Sequence, residues 1–257
     1  MTPRQKFIAY QTLVIKELVR CFRIWPQTLL PPAITMALYF VIFGRLVGSQ
    51  IHAVDGFTYM QYIVPGLVMM SVITNSYMHS SGGFFSMKFQ RSIEEILVSP
   101  TPNSIVLFGF VTGAVVRGLV VALIVMFISL FFTHLHIDHL LLVLLTILLT
   151  SFFFATAGLI NGIYARNFDD LSWVPSFVLT PLTYLGGVFF SISMLSPFWQ
   201  KVALINPIFY TIDLFRYSVL GLSQANIAVE FSVLFLLDAV LFFAALYMIR
   251  NSLRLRN

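Results

Sequence analysis

Residues 105–132, IVLFGFVTGAVVRGLVVALIVMFISLFF, carry a single formal charge, Arg117, and residues 140–163 carry none. A helix of about 20 apolar residues crosses a hydrocarbon core of roughly 30 Å. Two such stretches, separated by a short polar turn, rule out an ordinary soluble domain. The rest of the chain agrees. Of 257 residues 59% are hydrophobic and only 10% are charged, and Phe alone accounts for 27 positions. The fold class expected is all-α and polytopic, with six spans: Leu29–Val47, Tyr59–Ser81, Ile105–Phe132, Leu140–Ile163, Ser172–Phe190 and Phe231–Ile249. Trp25, Tyr59, Tyr164 and Trp173 fall near span ends, where amphipathic rings favour the headgroup region.

The basic residues orient the spans. Arg4, Lys6, Lys16, Arg20 and Arg23 precede the first, Lys88 and Arg91 follow the second, Arg166 follows the fourth, and Arg250, Arg254 and Arg256 follow the sixth. The other side has Arg45, Lys201 and Arg216. Eleven against three places both termini in the cytoplasm. The net charge of +5 thus marks a membrane side and does not call for nucleic acid as a partner. A single cysteine, Cys21, excludes an intrachain disulfide. The first 25 residues lack the short apolar core and cleavage site of a signal peptide. Residues 1–26 read instead as an interfacial amphipathic helix, with Gln5, Thr12, Lys16, Arg20 and Arg23 on one side and Phe7, Val14, Leu18, Cys21 and Trp25 on another. Residues 27–257 form the transmembrane domain.

Between the fifth and sixth spans, Ser191–Glu230 is too apolar for a free loop and is broken by Pro197 and Pro207. It reads as one or two short helices that dip back into the outer leaflet, shielded by protein. The alternative is a seventh span, Asn206–Leu222, which would put the tail outside, against the charge count.

Four charges gather in KFQRSIEEILVSPTP, residues 88–102, on the cytoplasmic side. Phe89, Ile93, Ile96 and Leu97 have the spacing of one apolar helical face, Arg91, Glu94 and Glu95 point elsewhere, and Pro100 ends the helix. An amphipathic helix there is either a loop helix resting on the membrane or a docking surface for a soluble partner.

The stretch RSIEEILVSPTP resembles the first cytoplasmic loop of permeases of the type-2 ABC exporter (ABC-2 type) family. Residues 179–221, LTPLTYLGGVFFSISMLSPFWQKVALINPIFYTIDLFRYSVLG, resemble the same family's signature, with Asn206–Pro207 and then Asp213 and Arg216 at its usual spacing. YIVPGLVMMSVI in the second span fits as well. The resemblance runs from the N-terminal helix to the last span and implies a bacterial inner-membrane half-transporter. Two copies would form an export pathway, and a separate cytoplasmic ABC ATPase, also in two copies, would drive it. Phe89–Val98 would be the coupling helix, with Glu94 and Glu95 facing the ATPase, Ile96 and Leu97 anchoring the contact, and 191–222 capping the outer mouth. The chain has no G-x-x-x-x-G-K-[ST] phosphate loop, so ATP and magnesium would belong to the partner, with no cofactor on this chain.

Charges inside spans ask for a reason, because each costs about 2.5–3.5 kcal/mol at a helix centre. Arg117 could form a substrate-headgroup site, or Arg117 and Asp238 a bridge that locks one conformation; snorkelling or a static pairing is the reading preferred. Pro181, Gly186 and Gly187 suggest a hinge, with ordinary packing equally served. Together with Asp213 and Arg216 these are the pathway or gating candidates. His134, His136, Asp138 and His139 could bind a metal, but a polar turn between apolar spans explains them, and no metal is expected. No catalytic constellation emerges; Asp169–Asp170 most simply precede the fifth span. The rivals to an ABC permease are a proton-coupled secondary carrier working through Asp238 or Arg117, and a membrane-embedded lipid-modifying enzyme. Membrane lipids are partners on every reading, and nothing in the residues selects among lipid, glycan, drug and peptide substrates.

Overall fold

A computed structural model describes residues 1–48, 54, 56–133 and 137–251, without the side chains of Arg45, Leu46 and Leu97. Twelve α-helices account for most of the described chain, and the β-structure among these residues is one isolated bridge, Val54 to Phe57. The elements are α1 (Pro3–Arg23), α2 (Trp25–Thr28), α3 (Leu30–Val41), α4 (Tyr59–Phe89), α5 (Ser92–Val98), α6 (Asn103–Ser129), α7 (Leu140–Tyr164), α8 (Phe168–Val174), α9 (Thr180–Leu185), α10 (Pro197–Ile205), α11 (Pro207–Leu220) and α12 (Ile227–Asn251). A π-helical turn, Ile42–Val47, extends α3, and a second, Pro175–Leu179, joins α8 to α9.

Four helical stretches are long and apolar enough to cross a membrane: Trp25–Gly44, Asn103–Ser129, Leu140–Tyr164 and Ile227–Asn251. These overlap the expected first, third, fourth and sixth spans. The expected second span lies within α4, whose 31 residues cover about 46 Å. α4 misses the apolar criterion because Ser71, Asn75, Ser76, His79, Ser80 and Ser81 run along it, all buried. It is the central helix, packed by α3, α6, α7 and α11, so its polar side chains face protein. The neighbours approach closely through glycine. A Cβ on Gly158 would run into the Tyr77 carbonyl, one on Gly162 would meet the Ser81 carbonyl oxygen at 2.8 Å, and one on Gly118 would run into Ser76 and Ser151. Small residues at four-residue spacing on α7 therefore set its distance from α4.

The expected fifth span stops early. The helical run from Phe168 ends at Leu185, with Gly186 as its cap, and residues 187–190 are not helical. Pro175 and Pro181 each remove a backbone donor, and Gly187 takes φ 81°. Thr180 and Thr183 donate their hydroxyls to the carbonyls of Pro175 (2.9 Å) and Leu179 (2.6 Å) inside this broken stretch. Asp169 and Asp170, expected to cap or precede the fifth span, lie inside the first turn of α8, and the capping side chain is Asn167, whose Oδ1 accepts from the Asp170 N–H at 2.8 Å.

α1 is more than a surface anchor. Leu13, Glu17 and Cys21 are buried on one stripe, with Leu13 over Gly109 and Glu17 over Gly113 of α6. The Tyr10 and Thr112 hydroxyls lie 2.9 Å apart. Cys21, expected on the apolar side with Phe7, Val14, Leu18 and Trp25, is part of this docked face with Leu13 and Glu17. The exposed apolar stripe is Ile8, Ile15, Val19 and Phe22, one side of a helix at 3.6-residue spacing.

Candidate functional site

Polar groups collect at three places: the α5 end of the bundle, a cluster between α1, α4 and α6, and a hub at the opposite end.

At the α5 end, Lys88 donates to the carbonyls of Ile163 (2.7 Å) and Ala165 (2.8 Å), tying the last turns of α4 and α7 together. Arg91 breaks the chain from α4 into α5 with φ 59°, the positive-φ non-glycine residue among those described. The helix expected over Phe89–Val98 is therefore shorter, Ser92–Val98, and Phe89 belongs to the final turn of α4. Phe89 meets Phe168 edge to face and lies tilted against Phe85 rather than continuing the face of α5. Ile93 is 2% exposed, in a cluster with Phe84, Met87 and Leu107, and Ile96 packs against the same cluster. Both hold α5 to the bundle. What α5 presents outward is Arg91, Glu94, Glu95 and Val98, the last 87% exposed, with Pro100 beyond. Ser99 closes the helix by donating to the Ile96 carbonyl at 2.6 Å. The side chain of Leu97 lies outside the described residues.

In the second cluster Glu17 Oε2 accepts from Arg20 at 2.5 Å and sits 3.3 Å from His79 Nε2. Arg20 also donates to the His79 carbonyl at 3.1 Å, and Gly83 leaves the room its guanidinium occupies. Arg117 donates to Asn75 Oδ1 at 2.9 Å and to the Thr28 carbonyl at 3.2 Å. The bridge from Arg117 to Asp238 is not formed. Arg117 faces α1 and α4, whereas both carboxylate oxygens of Asp238 lack a hydrogen-bond partner and the residue lines a cavity with Phe108, Phe152, Phe235, Phe242 and Phe243.

The hub is built on Arg216, which is 2% exposed. It donates to the Gly187 carbonyl at 2.7 Å, lies 3.8 Å from Asp213 Oδ1, and sets its Cζ 4.1 Å from the centre of the Tyr62 ring. Asp213 Oδ2 accepts from the Gln224 backbone (2.8 Å) and Ser223 (3.3 Å), and Gln224 donates to Tyr62 and Ser191. Asn206 donates to the Leu182 carbonyl at 2.6 Å, and a Cβ on Gly66 would meet Val188 backbone at 2.8 Å. Gly66, Gly187, Asn206, Asp213 and Arg216 thus converge, although they span three separate elements. Gly186 is the cap of α9, packed against Ile208, and Pro181 lies one turn earlier.

His139 packs its ring on Tyr217 and donates its backbone N–H to Ser218 O at 3.0 Å, so the start of α7 and the end of α11 share one end of the bundle. His134 and His136 lie outside the described residues, and no group of three metal-ligating side chains occurs among those described.

Compared with known proteins, residues 8–220 match the family model for the ABC-2 type transporter. The chain belongs to that family. The permease is 51% identical over 247 residues to the inner membrane transport permease YadH of Escherichia coli strain K12, covering 96% of this chain and 94% of that protein. It is 24% identical over 217 residues to nodulation protein J of Rhizobium leguminosarum bv. viciae, 84% of each chain. Nodulation protein J of Neorhizobium galegae matches at 25% over 232 residues. The permease is thus the membrane subunit of an ABC transporter, a multi-pass inner-membrane protein and not itself an enzyme; family members pair with an ABC ATPase subunit.

Residues that the sequence did not single out do much of the joining. Glu17 is the lone acid in a basic helix, three positions before Arg20, and that isolation was its signal. Asn75 and His79 are four apart on α4, a spacing that puts both on one face. Tyr62 and Gln224 carried no signal, because their partners are set by tertiary packing.

Proposed function

We propose that the permease forms an export pathway as a homodimer driven by two copies of a separate ABC ATPase, which bind at α5. The observation that carries this is the division of labour on α5: Ile93 and Ile96 fasten it to the bundle while Glu94, Glu95 and Val98 are offered to a partner. A helix fastened on one side can pass a push from the ATPase into α4 and α6, which it adjoins in sequence and space.

Six spans with both termini inside remain the topology proposed, with α4 as the second and α8–α9 as the fifth. Lys88 bonding the end of α7 beside Arg166 supports placing those ends on one side of the membrane, the cytoplasmic one. α10 and α11 are then the re-entrant pair at the outer mouth. α11 covers only about 21 Å, short of a full crossing, and 11 of its 14 residues are buried, as shielded membrane backbone requires. Within this scheme Pro181, Gly186 and Gly187 are the flexible point, and Asp213 and Arg216 hold it. Asp238 lies on the buried side of α12, 5% exposed, in the groove between α6, α7 and α12. Residues 1–26 serve as the inner-face helix and 27–257 as the transmembrane domain; ATP and magnesium act on the partner.

The test is purification from native membranes in mild detergent, with co-purifying chains identified by mass spectrometry. An ATPase with a phosphate loop in one-to-one ratio, released by Glu94→Lys with Glu95→Lys, is the expected result. A folded permease that retains its ATPase despite both reversals would remove α5 from the interface; one with no ATPase at all would return the proton-coupled carrier.

A further inference from the structure

Arg117 stands between two cavities. One, of about 230 Å³, is lined by Arg20, Cys21, Thr28, His79, Gly83 and Arg117. The other, of about 330 Å³, is largely apolar, with Pro31, Met36, Tyr39, Met70 and Met78 in its wall, and it shares Thr28 and Arg117 with the first. Glu17 is the one carboxylate of the cluster, and its Oε2 already serves Arg20 and His79. Among the described residues Arg117 has no ion-pair partner. Its two hydrogen bonds go to neutral oxygens, and its buried Nε has none. Two guanidiniums, Arg20 and Arg117, therefore line one cavity with no carboxylate among the described residues of its wall, and their positive charge lies at the mouth of an apolar slot. A buried cation without a counter-charge is unfavourable unless a ligand supplies one.

We propose that the two cavities are one binding site for an anionic membrane lipid, its phosphodiester headgroup between Arg20 and Arg117 and its acyl chain in the slot lined by Met36, Tyr39 and Met70. The planar fork of arginine suits phosphate oxygens, and Arg117 lines both cavities. Gly83 is what keeps the headgroup side open, since a Cβ there would collide with Arg20. The assignment rests on the orientation proposed above only in placing the site at the inner leaflet.

The experiment is native mass spectrometry of the full-length protein in detergent, with phosphatidylglycerol, phosphatidylcholine or inorganic phosphate added. Phosphatidylglycerol is expected to be retained over phosphatidylcholine. Arg117→Gln should weaken retention about ten- to hundredfold, as loss of a charge-assisted hydrogen bond does, and Arg117→Lys should weaken it less. Thr74→Phe, which fills the slot without touching either guanidinium, should weaken lipid retention and keep the fold if Arg117→Gln does not. Equal retention of the two lipids, indifference to both Arg117→Gln and Thr74→Phe, or displacement of the lipid by millimolar phosphate alone would overturn the assignment. Lipid retention is read whether or not an ATPase co-purifies, so failure here and failure of the permease–ATPase reading are separate results.

Discussion

Replacing Arg216 by Met should be among the most damaging single changes in the molecule. Methionine keeps much of the volume but removes the hydrogen bond to Gly187 O, the cation over Tyr62 and the counter-charge to Asp213. A hydrogen bond from a charged donor contributes about 1.5–3 kcal/mol, and a desolvated cation–π contact about 2. Breaking a buried pair by deleting one partner costs about 3–5 kcal/mol in total, because the remaining charge is stranded. The lower half of that range fits here, since Asp213 keeps its bonds from Gln224 and Ser223, and the Arg216 to Asp213 distance of 3.8 Å is long. For the same reason Asp213→Asn should cost less than Arg216→Met. Stability of about 5–15 kcal/mol is typical of a folded domain, so the loss is a large share. The assay is reversible denaturant unfolding in detergent micelles, followed by a double-mutant cycle with Asp213→Asn. Arg216→Lys should recover part of the loss, because an ammonium can satisfy one carbonyl but cannot cover the ring as a planar group does. A loss below about 1 kcal/mol for Arg216→Met, or a lysine variant indistinguishable from the parent, would show that Arg216 does not hold the hub.

Three further outcomes are expected. Gly158→Ala should destabilise by about 1–3 kcal/mol, since its Cβ has a backbone carbonyl in the way, whereas Gly82→Ala, with open space around it, should be neutral or stabilise by about 0.5–1 kcal/mol; the pair is read by thermal unfolding in detergent. Ile93→Ala should cost about 2–5 kcal/mol and reduce coupling in an ATPase-stimulation assay although the residue faces inward, while Glu94→Lys should leave the unfolding midpoint within about 0.5 kcal/mol. Arg91→Gly should relieve about 1–2 kcal/mol of left-handed strain, seen as a higher unfolding temperature, and should slacken the α4–α5 joint, seen as weaker stimulation.

The helices that face lipid were the most legible. α6, α7 and α12 follow the apolar runs within a few residues, because lipid rewards that composition directly. α4 was legible as a helix despite its serines, histidine and asparagine, whose presence reflects enclosure by other helices. The limits of α5 and α9 were not legible for a shared reason: both depend on one backbone angle. Arginine has no preference for the left-handed region, so nothing in FQRSIEEILV marks Arg91 as the break and Phe89 as part of α4. Gly187 advertises the possibility of a positive φ, yet only its bond from Arg216, 29 positions later, makes it the end of the span. The cluster around Glu17 and His79 was illegible in a stronger sense, since its members come from three helices and no local pattern pairs them.

The two arginine clusters sit at different heights on α4, Tyr62 at one and Asn75 with His79 at the other, roughly 20 Å apart along the helix. Between them Leu67, Val68, Met69, Val72 and Ile73 are wholly enclosed, packed in one core with Val121, Phe154 and Ile212. A polar path through the interior of a single protomer would have to breach this dry layer. Close-packed cores of this kind yield by switching between discrete packings and are poor channels. A pathway along the outside of the bundle avoids that cost, but it needs a second surface to close it against lipid. This is the physical case for placing a second copy in the proposed transporter. On the proposed orientation the clusters would have distinct duties, the hub holding the outer end fixed and the proposed Arg117 site receiving a headgroup at the inner one.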